Sequence, residues 1–172
     1  KEELKVNPND LKIIPPIFPD DSIVRHSLAV NYSNLMEMDK QVGELIDQLK
    51  QEDIYDDSYI FFYSDHGGPF PRHKRAIYET GTKVPFFVKL PKGVKEKVDT
   101  NQFLSFVDFA PTALSIAGID VPSFQQGKPF LGKYKDGSKR EYLFTSSDRF
   151  DEHPDRIRAV RGEKYKYIRN YF

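Results

Sequence analysis

Residues 59–75, Tyr-Ile-Phe-Phe-Tyr-Ser-Asp-His-Gly-Gly-Pro-Phe-Pro-Arg-His-Lys-Arg, constrain this chain more than any other stretch. A run of aromatic and β-branched residues, with the composition of a buried strand, stops at an acid, an imidazole and two glycines, and a cluster of cations follows. In an open α/β sheet, ligands collect outside the carboxyl ends of the strands. The pattern therefore puts Asp65 and His66 where chemistry is usually found.

The flanking sequence predicts the frame for that strand. Pro8, Pro15, Pro16 and Pro19 prevent a helix over residues 1–21, which read as an extended connector. Asp20, Asp21 and Ser22 are good N-cap residues, and Leu35, Met38, Val42, Leu45, Ile46 and Leu49 then fall on one face, so a long helix is expected from about Ser22 to Gln51. A helix followed by a strand suggests a parallel neighbour for that strand. Val84–Leu90 reads as a second strand, with Pro85 near its start, and Pro91–Thr100 as a lysine-rich surface turn. Phe103–Val107 is strand-like, Asp108 is expected to cap a helix with Pro111 in its first turn, and Gly118 to close it. After a loop-rich stretch, Tyr142–Thr145, Ile157–Arg161 and Tyr165–Ile168 read as a small antiparallel sheet, the last two joined through Gly162-Glu163-Lys164. Three segments result: the connector 1–21, an α/β portion 22–140 and a small antiparallel sheet 141–172.

Composition removes several function classes. With 26 lysines plus arginines against 26 aspartates plus glutamates, no net field draws the chain to nucleic acid or anionic lipid. No apolar run approaches the ~18 residues of a membrane span. The absence of cysteine excludes disulfides, thiolate zinc sites and cysteine nucleophiles within these residues. The chain opens on Lys1 and stops at Phe172 without a terminating signal, so both ends are expected to be cuts in a longer protein.

Three clusters could do chemistry. A strand-end carboxylate beside an imidazole offers two metal ligands on a short reach, with Gly67 and Gly68 allowing close approach; the plain alternative is a turn in which Asp65 accepts backbone hydrogen bonds and His66 is simply exposed. Two ligands leave a hard cation such as Ca²⁺ far short of its roughly 6–8 donors, so others must come from elsewhere. Arg72, His73, Lys74 and Arg75 form a cationic loop, either a solvated surface or the partner of an oxyanion held at the metal. The stretch Asp148-Arg149-Phe150-Asp151-Glu152-His153-Pro154, just after a strand, mixes cations, acids and an aromatic, the make-up of a polar-ligand pocket or of any charged surface loop. No Gly-x-Ser-x-Gly elbow and no phosphate-cradling glycine loop occurs.

Met38-Asp39-Lys40-Gln41-Val42-Gly43, Phe61 through Gly67, Lys74 with Tyr78-Glu79-Thr80-Gly81, Val84-Pro85-Phe86, and Phe106 through Thr112 occur in that order. Together they resemble the carboxyl-terminal portion of a type I sulfatase of the alkaline-phosphatase-like superfamily, over roughly residues 22–170. The Pro69-Phe70-Pro71 loop and the Asp148-Arg149 region are most similar to bacterial relatives of the heparan N-sulfatase (sulfamidase) branch. The resemblance implies an α/β fold: a partial alkaline-phosphatase-like sheet with flanking helices, then a small antiparallel C-terminal sheet.

It also implies roles. Asp65 and His66 would be ligands of a divalent cation, calcium before manganese or zinc, with His66 where many relatives carry asparagine. Lys74 would contact the sulfate and act in catalysis, Arg72 and His73 would help bind it, and Asp148 and Arg149 would shape the sugar pocket. The family's nucleophile is a formylglycine made within a Cys/Ser-x-Pro-x-Arg motif, which does not occur here. The implied whole is a sulfatase acting on sulfate esters or sulfamates of a sulfated carbohydrate. Its remaining N-terminal part is then the partner of this chain, and the chain alone is inactive. A periplasmic or otherwise exported location follows from the resemblance only. Two alternatives stand beside it: a phosphonate or phosphate ester hydrolase of the same superfamily using a transition metal, and a non-catalytic glycan-binding module using the basic loop.

Overall fold

The computed structural model describes residues 4–96 and 101–172. Its contacts divide the chain into two units: one runs to Tyr59 and includes Leu90–Lys92, the other comprises Ile60–Lys89 and Gly93–Phe172. The lysine-rich turn expected from Pro91 runs into residues 97–100, which lie outside the described residues.

In the first unit the proline-bearing start is non-helical apart from a 3₁₀ turn at Pro8–Asp10. It lies along helix α1 (Ser22–Gln51), whose start is fixed by the Asp21 carboxylate accepting from the amides of Ile23 (2.9 Å) and Val24 (2.8 Å). The Val6 amide donates to Ser33 Oγ (3.1 Å), and the Arg25 guanidinium donates to the carbonyl of Leu11 (3.1 Å). Burial on α1 falls at Leu28, Ala29 and Ser33, towards the end that this segment covers. The apolar stripe expected farther along is largely solvated: Leu35, Met38 and Leu45 are all exposed.

The second unit begins with strand β1 (Ile60–Tyr63). Its partner, β2 (Phe86–Lys89), runs antiparallel, with Phe61 opposite Val88 and Tyr63 opposite Phe86. This corrects the expected parallel neighbour. A parallel return needs a crossover element of a dozen or more residues, whereas between these strands the chain forms only loops and the one-turn helix α2 (Glu79–Thr82), and so doubles back. Aromatic side chains form the contact beneath: Phe109 meets Tyr63 edge-on with ring centroids 4.9 Å apart and lies 5.4 Å from Phe86.

Phe109 opens helix α3 (Phe109–Ile116), which ends before Gly118 at φ +73°. The expected strand at Phe103–Val107 is instead a 3₁₀ turn, Phe106–Asp108, because Ser105 and Asp108 form a capping box that occupies the local amides. Asp108 occupies the N-cap position of α3 as expected, but its side chain makes no cap hydrogen bond to the helix. Its carboxylate, 1% exposed, accepts from the amides of Ser105 (2.8 Å) and Lys128 (2.8 Å) and pairs with Arg140. Thr112 and Ser115 on α3 accept from the amides of Phe130 and Tyr134, drawing the loop that carries buried Phe130 and Leu131 onto the helix.

The last element is the antiparallel sheet β3 (Leu143–Phe150), β4 (His153–Arg161) and β5 (Lys166–Asn170), in that spatial order. Buried Ala159 stands opposite Thr145 and Ile168 and marks the covered face. The chain is thus mixed helix and strand with a small three-stranded antiparallel sheet at its C-terminal end. Asp148 and Arg149 lie within β3, not in a loop after a strand; a bulge between Ser147 and Arg149 lets this polar run stay paired. Among the described residues no helix is long and apolar enough to cross a membrane.

Candidate cation and anion site

β1 ends at Tyr63, and the chain turns at once: Ser64 Oγ donates to the carbonyl of His66 (2.6 Å). His66 Nδ1 lies 2.8 Å from the carbonyl of Gly67. A carbonyl only accepts, so in the neutral ring Nδ1 carries the proton and Nε2 presents its lone pair. That lone pair stands 3.4 Å from Asp65 Oδ2. Two acceptors at this separation can face one cation, and a backbone carbonyl on the other ring nitrogen is the usual support of a metal-ligating histidine. Asp65 is 81% exposed and His66 39%, so both are open to an incoming ion. The pair fits two positions of a cation shell. Among the described residues no group of three or more acids, histidines or cysteines completes one.

The cationic loop is closed onto the same turn by the backbone. The Lys74 amide donates to the Gly68 carbonyl (3.0 Å), and the amides of His73 and Ala76 close successive turns onto Phe70 and His73. From the other side the Gly67 amide donates to the carbonyl of Gly81 (3.1 Å), and the Thr80 hydroxyl donates to the carbonyl of Arg72. The approach at Gly67 requires glycine, since a Cβ there would stand 1.8 Å from the Thr80 carbonyl oxygen. Arg72 and Arg75 hold positive φ, 68° and 70°, a conformation that costs side-chain-bearing residues roughly 1 kcal/mol or more and persists where surroundings enforce it.

The cations of this loop have different commitments. Arg72 lies over the Tyr78 ring (5.6 Å), and His73 Nδ1 is 3.0 Å from the Pro71 carbonyl. Arg75 pairs with Asp151 and lies over Phe150 (5.9 Å). Lys74 is exposed, and its ammonium makes no hydrogen bond or ion pair among the described residues. A flexible point charge beside the Asp65–His66 turn can meet an anion.

Of the other expected site residues, Asp148 is engaged by Arg158 (Nη2 to Oδ1 2.5 Å). Arg149 lines an open cleft with Asp151, Glu152 and His153 at the hairpin tip. That tip reaches the cationic loop through Asp151 and Phe150, both within the charged stretch singled out in the sequence, though the resemblance assigned roles only to Asp148 and Arg149. Sequence reasoning missed Glu79 and Thr80, quoted only as part of a motif.

A family model described as Sulfatase matches residues 6–119, and one described as N-sulphoglucosamine sulphohydrolase, C-terminal, matches residues 68–172. An ulvan-active sulfatase of Formosa agariphila is 45% identical over 92% of this chain and 26% of its own length. The human N-sulphoglucosamine sulphohydrolase is 30% identical over 65% of this chain and 22% of its own. An N-acetylglucosamine-6-O-sulfatase of Bacteroides thetaiotaomicron is 30% identical over 81% of this chain and 27% of its own. The chain thus spans about a quarter of the length of these curated relatives.

Proposed function

The chain belongs to the sulfatase family, and from that premise we propose that it supplies the cation-binding and anion-binding face of a hydrolase of sulfated glycans. The observation that carries this reading is the turn in which Asp65 and His66 present two acceptors 3.4 Å apart while the Lys74 amide is tied to Gly68. Asp65 and His66 hold a divalent cation, calcium; when bound, it supplies positive charge against the sulfate oxygens. The Lys74 ammonium neutralises charge that develops on the remaining oxygens, and Arg72, stacked on Tyr78, adds a second cation within the loop.

The nucleophile, a formylglycine, lies outside these residues, as neither cysteine nor a Ser-x-Pro-x-Arg stretch occurs in them. A polypeptide of these 172 residues alone turns over no sulfate ester. The names of the relatives favour a sulfated polysaccharide or amino sugar as substrate, as sulfate ester or sulfamate.

One observation favours a second reading: an imidazole nitrogen at His66 suits manganese or zinc better than calcium, as in phosphate or phosphonate ester hydrolysis. Metal analysis of the full-length protein, with turnover of paired sulfate and phosphate esters, separates the two. Calcium-dependent turnover of the sulfate ester, at least roughly 10-fold faster than the phosphate ester by kcat/KM, is expected from about 1.4 kcal/mol of discrimination. Preference for the phosphate ester with bound zinc or manganese would overturn the sulfatase reading.

A further inference from the structure

Helix α2 ties both halves of the site. The Gly81 carbonyl holds the amide next to His66, and the Thr80 hydroxyl holds the carbonyl of Arg72, two residues before Lys74. A four-residue helix has no stability of its own and must be fixed from outside. Its fixture is Glu79. One carboxylate oxygen lies 3.4 Å from Arg161 Nε and the other 3.2 Å from Lys166 Nζ, and Lys166 also donates to Thr82 (2.9 Å).

Arg161 and Lys166 are cross-strand partners on β4 and β5. Like charges directly opposite one another repel, so this register needs an anion between them. Lys166 is only 11% exposed, and Arg161 Nη1 is buried without a hydrogen-bond partner among the described residues. Two such cations are costly to leave uncompensated. Burial pushes the Glu79 carboxyl upward, but hydrogen bonds and charge from Lys166 and Arg161 outweigh it and hold the group below the usual carboxylate range, as an anion.

We propose that Glu79 is a positioning residue: clamped between Arg161 and Lys166, it fixes α2 to the C-terminal sheet and thereby holds the Asp65–His66 turn and the Lys74 loop in register for one anion. The proposal rests on the sulfatase reading above and deepens it. Glu79 meets neither substrate nor cation; it acts through the backbone bonds at Gly67 and Arg72.

The test uses full-length protein with Glu79→Gln and the double variant Glu79→Gln/Lys166→Met, which removes one of the two opposed cations, and with it their mutual repulsion, without restoring the clamp. Sulfate-ester kinetics, melting temperature and hydrogen exchange at the Gly67 amide are measured in each. Glu79→Gln is expected to lower kcat/KM roughly 10- to 100-fold, as loss of a supporting contact does, and to speed exchange at Gly67. In the double variant the melting temperature recovers while both deficits persist. Wild-type kcat/KM and Gly67 exchange in Glu79→Gln, or their return together with the melting temperature in the double variant, would overturn the proposal. If the wild-type protein turns over no sulfate ester, the sulfatase reading fails, and Gly67 exchange still decides for or against the clamp.

Discussion

The loop between β1 and β2 and the tip of the β3–β4 hairpin both mix acids with cations, yet they are held by different means. Backbone bonds close the loop, Gly67 to Gly81 and Lys74 to Gly68, and it tolerates no Cβ at Gly67. The tip closes the β3–β4 ladder at Phe150 and His153, and beyond that ladder it is tied by exposed side-chain pairs, Asp148 with Arg158 and Asp151 with Arg75. Backbone closure fixes geometry whatever the side chains do, as chemistry on a small tetrahedral anion needs. Exposed pairs contribute little and can be exchanged without moving the backbone.

Substitutions of graded severity can break that contrast. Lys74→Ala in the full-length protein should have the largest effect, roughly a 10²- to 10³-fold loss of kcat on a sulfate ester, because it removes the charge that the proposed function assigns to the developing anion. Loss confined to KM would mean that Lys74 only binds. Gly67→Ala should follow, at roughly 100-fold in kcat/KM, since the Thr80 carbonyl must give way and the Asp65–His66 turn moves with it. The same substitution should lower the melting temperature; an unchanged melt with unchanged kinetics would show that backbone closure does not set the site.

At the hairpin tip, Asp151→Asn is expected to cost at most about 1 kcal/mol in urea unfolding, the range of an exposed pair. A larger loss would move the tip into the class of the loop and erase the contrast. The smallest expected effect is on pH. Glu79 titrates below its unfolded value, so its contribution is fully present above the unfolded carboxylate pKa and disappears as pH falls through the folded one. Stability curves of wild type and Glu79→Gln should therefore separate near neutrality and converge as pH falls through and below the usual carboxylate range. A gap that widens on acidification would contradict the ionised clamp.

Legibility from sequence followed how local each determinant is. The bounds of α1 follow from the Asp21 cap and helical periodicity, and the end of β1 from the abrupt change after Tyr63. The orientation of β2 was illegible, because it depends on how residues 64–85 return. Phe103–Val107 has strand composition, but a serine and an aspartate three residues apart formed a capping box within it. Ser146 to Arg149 looks too polar for a strand, yet pairing with β4 keeps it extended through a bulge. In the site, the closeness of Asp65 and His66 follows from adjacency. The contact of Glu79 with Arg161 joins residues 82 positions apart, and no local pattern announces it.

The most direct measurement is calorimetric titration of the metal-stripped full-length protein with Ca²⁺, wild type against Asp65→Asn, with sulfate-ester turnover followed on the same samples. If the turn after β1 holds the cation, wild type binds one ion per chain, and the variant loses at least roughly 10-fold in affinity, with turnover falling in step. Equal affinity and equal turnover in the two proteins would contradict the assignment of Asp65 and His66 to the cation.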